Sequence, residues 1–406
     1  MDQQSVAERD ALEVVKRLRE AGFQAYFAGG CVRDRLMGVA PKDIDVATNA
    51  TPDQVIATFR RTIPVGKAFG VVLVNQGNSS IEVATFRSDG RYLDGRRPES
   101  VTFSSLEEDV QRRDFTVNGM MYDPAEDRVI DLVGGREDLA RRTIRAIGDP
   151  RDRFREDHLR MVRAVRFACK LDFAIEPATL EAVRELAPLV KTVSGERVRH
   201  EIERILATPR ASLGIGFLWA TNLLGELLPE AAPDMSAFDH GLATLMALAP
   251  TGLAPGLAAL LCAAGPDRAL EVSDRLRLSR EERESLVWLV ARQDAPARVF
   301  TGPVAAFKRL ARAPDFPALL ALYRARCLAG GESLDVHDRI AQQLARWGPD
   351  DLRPKLLVDG NDLRDMGLPP SREYARILTV LEDAQLEGRV RTRDEALEMM
   401  RALARG

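Results

Sequence analysis

Apolar positions recur three and four residues apart over 6–20, the spacing of one face of a helix. Ala25–Ala28 is a short apolar run that stops at Gly29-Gly30, and it reads as a strand. A helical turn is predicted from Val32 and a second strand over 44–47. In Thr51-Pro-Asp-Gln, Thr51 suits a helix N-cap and Pro52 the first helical position. The β-branched runs 71–74 and 81–86 flank Asn75-Gln-Gly-Asn-Ser, a hairpin pattern. Residues 87–105 are rich in glycine and charge and show no period, which predicts a mobile loop, and a last strand pair is expected around 117–122 and 129–132. From about 136 the pattern becomes helical and stays so, punctuated by Pro and Gly clusters at 208–214, 229–235, 249–256 and 347–354. The predicted fold class is α+β: a small mixed α/β head followed by an elongated all-α remainder.

A chain of 406 residues exceeds the usual size of one domain, so more than one packed unit is expected. At 45% hydrophobic and 29% charged residues it has ample material for a core. No apolar run approaches eighteen residues, so no membrane span is expected. The first residues, MDQQSVAERD, are polar and unlike a signal peptide. Cys31, Cys169, Cys262 and Cys327 lie far apart with no metal-site spacing, which predicts reduced thiols and a cytoplasmic location. The net charge of −3 gives no sign of a nucleic-acid partner. Patterning does: Arg142, Arg145, Arg151, Arg153, Arg155, Arg160, Arg163 and Arg166 crowd between Arg141 and Lys170. Such a density of guanidinium suits phosphate, although a solvated helix face would show the same composition.

Candidate chemistry begins with PKDIDVATN. On a strand, Asp43 and Asp45 share one face while Ile44 and Val46 take the other. Two convergent carboxylates can hold a pair of magnesium ions about 4 Å apart, which stabilises the attacking and leaving oxygens of phosphoryl transfer. Upstream stands GGCVRD, residues 29–34. Gly29 and Gly30 let the backbone approach a ligand, the following helix start offers N–H groups to phosphate, and Arg33 can grip a triphosphate bidentately. Glu82, alternating with Ile81 and Val83, is either a third carboxylate for the metals and the attacking hydroxyl or a plain exposed strand residue.

RRDFTVNGM, residues 112–120, offers Arg113 to a triphosphate or base and Asp114 to ribose hydroxyls. A surface ion-pair cluster would read the same way. Residues 156–173, EDHLRMVRAVRFACKLDF, have helical periodicity with Leu159, Val162 and Val165 on one stripe. Asp157, Arg160 and Arg163 fall three apart on another, where they are neighbours in space. Intrahelical ion pairing explains that spacing, but so does base reading. Cytosine and adenine each present an amino donor beside a ring-nitrogen acceptor, and uracil and guanine present the reverse. An Asp–Arg pair therefore accepts CTP and ATP, and the wrong base leaves buried polar groups unpaired at about 1–3 kcal/mol each.

Taken in order, GGCVRDRLMG, KDIDVATNATPDQV, IEVATFRSDGRY, RRDFTVNGMMYD, IDLVGGREDL and EDHLRMVRAVRFACKLDF resemble the class II nucleotidyltransferases of the polymerase β superfamily. This family comprises tRNA nucleotidyltransferases, which add CCA, and bacterial poly(A) polymerases. The likeness is close from 25 to about 205 and weaker beyond. It implies a nucleotidyltransferase head over 1–140, a helical neck with the base-selecting site over 141–206, a body over 207–345 and a tRNA-contacting tail over 346–406. It also implies magnesium dependence, CTP and ATP as substrates, tRNA as partner and release of pyrophosphate.

Carried onto this chain, the resemblance assigns the metals to Asp43 and Asp45 and the triphosphate to Gly30 and Arg33. Arg113 and Asp114 would contact sugar and phosphate. Glu156, Asp157 and Arg160 would read the base, with Arg163 and Arg166 nearby on nucleotide or RNA backbone. The stretch DGRYLDGRRPESVTF, residues 89–103, resembles the flexible loop of members able to add the terminal A. Many relatives carry a histidine–aspartate phosphohydrolase site; here Asp239-His240 stands at its expected start, but Cys262-Ala263 replaces the later His-Asp pair, so no hydrolase activity is expected. Two further functions use the same scaffold: a poly(A) polymerase acting on general RNA, and an inactive RNA-binding protein.

Overall fold

Val46, Val72, Val74, Ile81 and Val83 are all buried, and each alternates with a residue that points the other way. That period of two makes them one face of a sheet. In the computed structural model, which describes residues 6–90, 100–367 and 372–405, this face is covered by helix α1 (Val6–Glu20), whose Ala11, Val14, Val15 and Leu18 join the same core. The chain divides into two units, Met1–Pro229 and Glu230–Gly406.

In the first unit the strands are β1 (Ala25–Ala28), β2 (Asp45–Thr48), β3 (Thr62–Gly66), β4 (Val71–Gln76), β5 (Ser79–Thr85), β6 (Arg87–Asp89), β7 (Val101–Phe103), β8 (Met121–Asp123) and β9 (Arg128–Ile130). Seven form a sheet in the order β3-β4-β5-β2-β1-β8-β9, antiparallel except where β2 meets β5 in parallel. The parallel register pairs Val46 with Val83. One residue earlier on each strand, Asp45 and Glu82 therefore stand side by side on the opposite face. On that face Ala28, Ala47, Phe86, Leu106, Val110 and Met121 make a second, smaller core.

The helices that build the site are α2 (Gly30–Leu36), α3 (Pro52–Thr58), α4 (Leu106–Gln111), α5 (Gly135–Ala140), α6 (Pro150–Glu156), α7 (Leu159–Leu171), α8 (Pro177–Leu186) and α9 (Gly195–Leu206). As the sequence predicts, Thr51 caps α3 in a capping box with Gln54. The second unit is helical. Met235–Leu248 packs on Phe316–Gly330, and a C-terminal core gathers Leu363, Ile377, Leu381 and Met400. Among the described residues, no helix is long and apolar enough to cross a membrane.

Four expectations are corrected. Residues 87–105 are not wholly loop, since β6 and β7 pair as a hairpin stem, Arg87 opposite Phe103; residues 91–99 of the loop lie outside the described residues. The segment 117–122 is not one strand, because Thr116–Asn118 is a 3₁₀ turn held by the Thr116 hydroxyl on Asp138, 2.7 Å. Residues 156–173 are not one helix: α6 ends at Glu156, and Asp157 adopts extended backbone before α7 begins. The region after 136 also carries a two-residue parallel bridge, Thr143–Ile144 with Ala174–Ile175. One strand was not foreseen, β3, whose TIPVG holds a proline that only a sheet edge tolerates.

Gly135, at the start of α5, packs so tightly on that 3₁₀ turn that a Cβ would sit 2.3 Å from the Thr116 carbonyl oxygen and 2.8 Å from Met120. Gly135→Ala is expected to destabilise the protein by about 1–3 kcal/mol through overpacking, read as a lower urea midpoint with unchanged slope.

Candidate active site

A cavity of about 470 Å³ opens on the sheet face that carries Asp45 and Glu82. Ala28, Ala47 and Ala84, small side chains on three adjacent strands, leave the room for it. Gly29, Gly30, Arg33, Arg113, Asp114, Asp157, Arg160 and Arg163 complete its wall. Ten of the residues singled out in the sequence thus meet at one place. Asp43, Glu156 and Arg166 do not line this cavity; Asp43 and Arg166 border a neighbouring one.

Asp45 is exposed in the cavity mouth, yet its pKa is pushed up to about 6. Desolvation by the cavity walls is the main cause, followed by the Glu82 and Asp43 carboxylates, with Arg113 opposing them. Like charges have been brought together faster than the protein neutralises them. Hard oxygen donors crowded in this way suit a divalent cation. Among the described residues, no three His, Cys, Asp or Glu side chains converge closely enough to ligate a metal by themselves.

The glycines are needed where they stand. Gly29 has φ +73°, and a Cβ there would come 3.2 Å from the Arg113 guanidinium. Arg33 is buried, donates to Asn118 and Asp34, and lies 5.5 Å from the Phe167 ring centre. Beneath these groups, buried Asp109 accepts from Arg113 at 2.9 Å, from Arg112 at 2.6 Å and from the Arg87 backbone N–H at 3.3 Å. Burial opposes its ionisation, but Arg113 and Arg112 outweigh that and hold it below the usual carboxylate range.

Asp114 already has protein partners. One oxygen accepts from Arg163 at 2.5 Å, the other from the Phe115 N–H and Asn118. Its burial is likewise outweighed, chiefly by Arg163, so it stays ionised well below the ordinary range.

The pair expected to read the base also differs from its helical picture. Because the chain breaks at Asp157, this carboxylate turns to Arg197 on α9, 2.7 Å away, rather than to Arg160. Arg160 donates to Glu156 at 2.5 Å, to the Arg153 carbonyl at 3.1 Å and to the Arg112 carbonyl at 3.0 Å. Three of its five N–H donors are so engaged, leaving two that can face the cavity. Arg166 pairs with buried Glu201 and acts as a strut between α7 and α9.

Sequence reasoning missed Asp109, Arg112, Asn118, Phe167 and Arg197. Arg112 and Asn118 sat inside RRDFTVNGM, and their alternation with Asp114 was the available signal. No local pattern marks Asp109 or Arg197, whose importance comes from contacts made across the fold.

Residues 25–145 match the family described as the poly(A) polymerase head domain, and residues 172–235 match a probable RNA- and SrmB-binding site of polymerase A. A CCA-adding enzyme of Geobacillus sp. (strain WCH70) is 36% identical over 398 residues, 95% of each chain. The chain belongs to the CCA-adding enzyme family. The Geobacillus stearothermophilus member is 47% identical over 216 residues, and this match spans 53% of its length, so the chain aligns with about half of that relative. The crystal structure of the Bacillus stearothermophilus CCA-adding enzyme in complex with CTP superposes with a TM-score of 0.81 at 30% identity, covering 99% of this chain and 98% of that one.

The raised pKa of Asp45 makes a stability prediction for the metal-free protein. Between about pH 4, the unfolded value, and about pH 6, where the folded group titrates, the folded state holds a proton that the unfolded chain has released. Stability from this group therefore falls as pH rises through that window and stays lower above it. Asp45→Asn should be more stable than the parent at neutral pH, by about 1 kcal/mol after allowing for solvent screening. The difference should vanish below pH 4. Denaturant titrations across this range, with chelator present, measure it.

Proposed function

We propose that the protein adds CMP and AMP to the 3′ end of tRNA without a template, completing its CCA terminus and releasing pyrophosphate in the cytoplasm. One observation carries the reading: a single cavity unites an acidic pair, a glycine-and-arginine phosphate cradle and a carboxylate–guanidinium pair suited to a base. The four segments 1–140, 141–206, 207–345 and 346–406 serve in this proposal as catalytic head, base-selecting neck, body and tRNA-contacting tail.

The triphosphate lies against Gly29, Gly30, Arg33 and Arg113, where two guanidiniums can each donate bidentately. Asp43 and Asp45 would hold magnesium, with Glu82 beside Asp45. When bound, the metal supplies charge neutralisation for the attacking and leaving oxygens. Glu82 is also placed to accept the proton of the 3′-hydroxyl. Asp157 takes the exocyclic amino group of cytosine or adenine, and Arg160 donates to the ring nitrogen. UTP and GTP would set acceptor against acceptor and donor against donor. Arg163 and Arg166 act through Asp114 and Glu201, holding α7 and α9 in position around the base.

A tRNA transcript lacking CCA, given magnesium and all four triphosphates, should gain C, C and A and then stop, read on a sequencing gel. UTP or GTP alone should give no product. Asp45→Ala should lose at least 10³-fold in rate while still binding the RNA. Long A tracts on unrelated RNA would contradict tRNA specificity, and undiminished activity in Asp45→Ala would contradict the metal assignment.

A further inference from the structure

Asp43 borders a second cavity of about 820 Å³, larger than the first and separate from it. Lys42, Arg166, Lys170, Arg204 and Arg210 also line it, five cations around one void. Three of them are already committed. Arg166 and Arg204 approach Glu201, and Arg210 pairs with Asp172. Lys42 and Lys170 are exposed and form no ion pair among the described residues. Partial enclosure by the cavity walls, with Arg33, Arg166 and Lys42 nearby, holds the Lys170 ammonium below its ordinary pKa despite Asp34. Positive charge is therefore concentrated here beyond what the protein itself offsets.

The place of this cavity narrows its ligand. Asp45 borders the first cavity and Asp43 the second, two residues apart. Phosphoryl transfer runs in line, so the attacking hydroxyl and the departing pyrophosphate lie on opposite sides of the reacting phosphorus. With the triphosphate in the first cavity, a space on the Asp43 side is where the strand carrying that hydroxyl can arrive. One wall also comes from the segment 172–235 that matches an RNA-binding family, through Arg204 and Arg210.

Resting on the proposed reaction, we propose that this second cavity seats the phosphodiester backbone of the last nucleotides of the RNA being extended, with Lys42 and Lys170 neutralising its phosphates. Both side chains line the same cavity as Asp43, so they fix where the 3′ end stops. They read no sequence, because phosphate carries none.

The test is the double variant Lys42→Gln/Lys170→Gln in the full chain, with a tRNA transcript ending in CC. Equilibrium binding is measured from about 50 to 200 mM salt, the range in which phosphate contacts weaken most visibly. Each single-strand phosphate contact contributes about 0.7 to the slope of log affinity against log salt. The slope should therefore fall by about 1.4, and affinity at about 0.1 M salt should drop about 25-fold. The KM for ATP should not change. Lys16→Gln, on an exposed lysine near Glu20 of α1, should alter neither quantity. An unchanged RNA affinity and slope would overturn the proposal, as would a raised KM for ATP with RNA binding intact. Binding needs no catalysis, so a parent protein that binds the transcript but fails to extend it would sink the reaction and leave this site standing.

Discussion

One buried carboxylate shared by two guanidiniums organises the catalytic cavity. Asp109 fixes Arg112 and Arg113 together. The carbonyl of Arg112 then receives Arg160, and the guanidinium of Arg113 fills the space that the absent side chain of Gly29 leaves. The proposed phosphate cradle and the proposed base-reading residues are thus tied through one anchor. Removing a single partner of such a buried pair leaves an uncompensated charge, which costs about 3–5 kcal/mol. The other pairs around the cavity, Asp114 with Arg163 and Glu201 with Arg166, repeat the device at the junction with α7 and α9.

These pairs give the site two different electrostatic economies. Around the proposed base site, Asp114, Glu156 and Asp157 each have a guanidinium partner. At Asp45 and Glu82 the balance is left open, and the protein carries like charges that weaken the folded state. In the proposed reaction, that contrast separates what the polypeptide finishes from what a cation and a triphosphate would complete. The chemistry of transfer then depends on positioning and charge, with little covalent work for the protein.

Much of this was legible in the chain. The period-two alternation around Asp45 and Glu82 follows from side-chain geometry alone, and the strands that carry them fell within two residues of where the pattern placed them. The N-cap at Thr51 was equally clear, because its chemistry is local. What could not be read were features decided by distant partners. The turn at Thr116 needs Asp138, the break at Asp157 is held by Arg197, and Asp114 is paired with Arg163 on a distant helix. Spacing by three put Asp157 and Arg160 on one helix face, and tertiary ion pairs overrode it. The hairpin stem of β6 and β7 was hidden because three-residue strands are too short to show a period.

In the proposed reaction, side chains held in place through ion pairs choose the base, and Arg197 sets the orientation of Asp157. Arg197→Met removes that hold and leaves Asp157 and Arg160 in the chain. The decisive quantity is the ratio of kcat/KM for CTP to that for UTP on a tRNA lacking CCA. A fall of tenfold or more in the ratio, about 1.4 kcal/mol of lost discrimination, is the predicted result. A ratio equal to that of the parent, even with slower incorporation of both nucleotides, would contradict it.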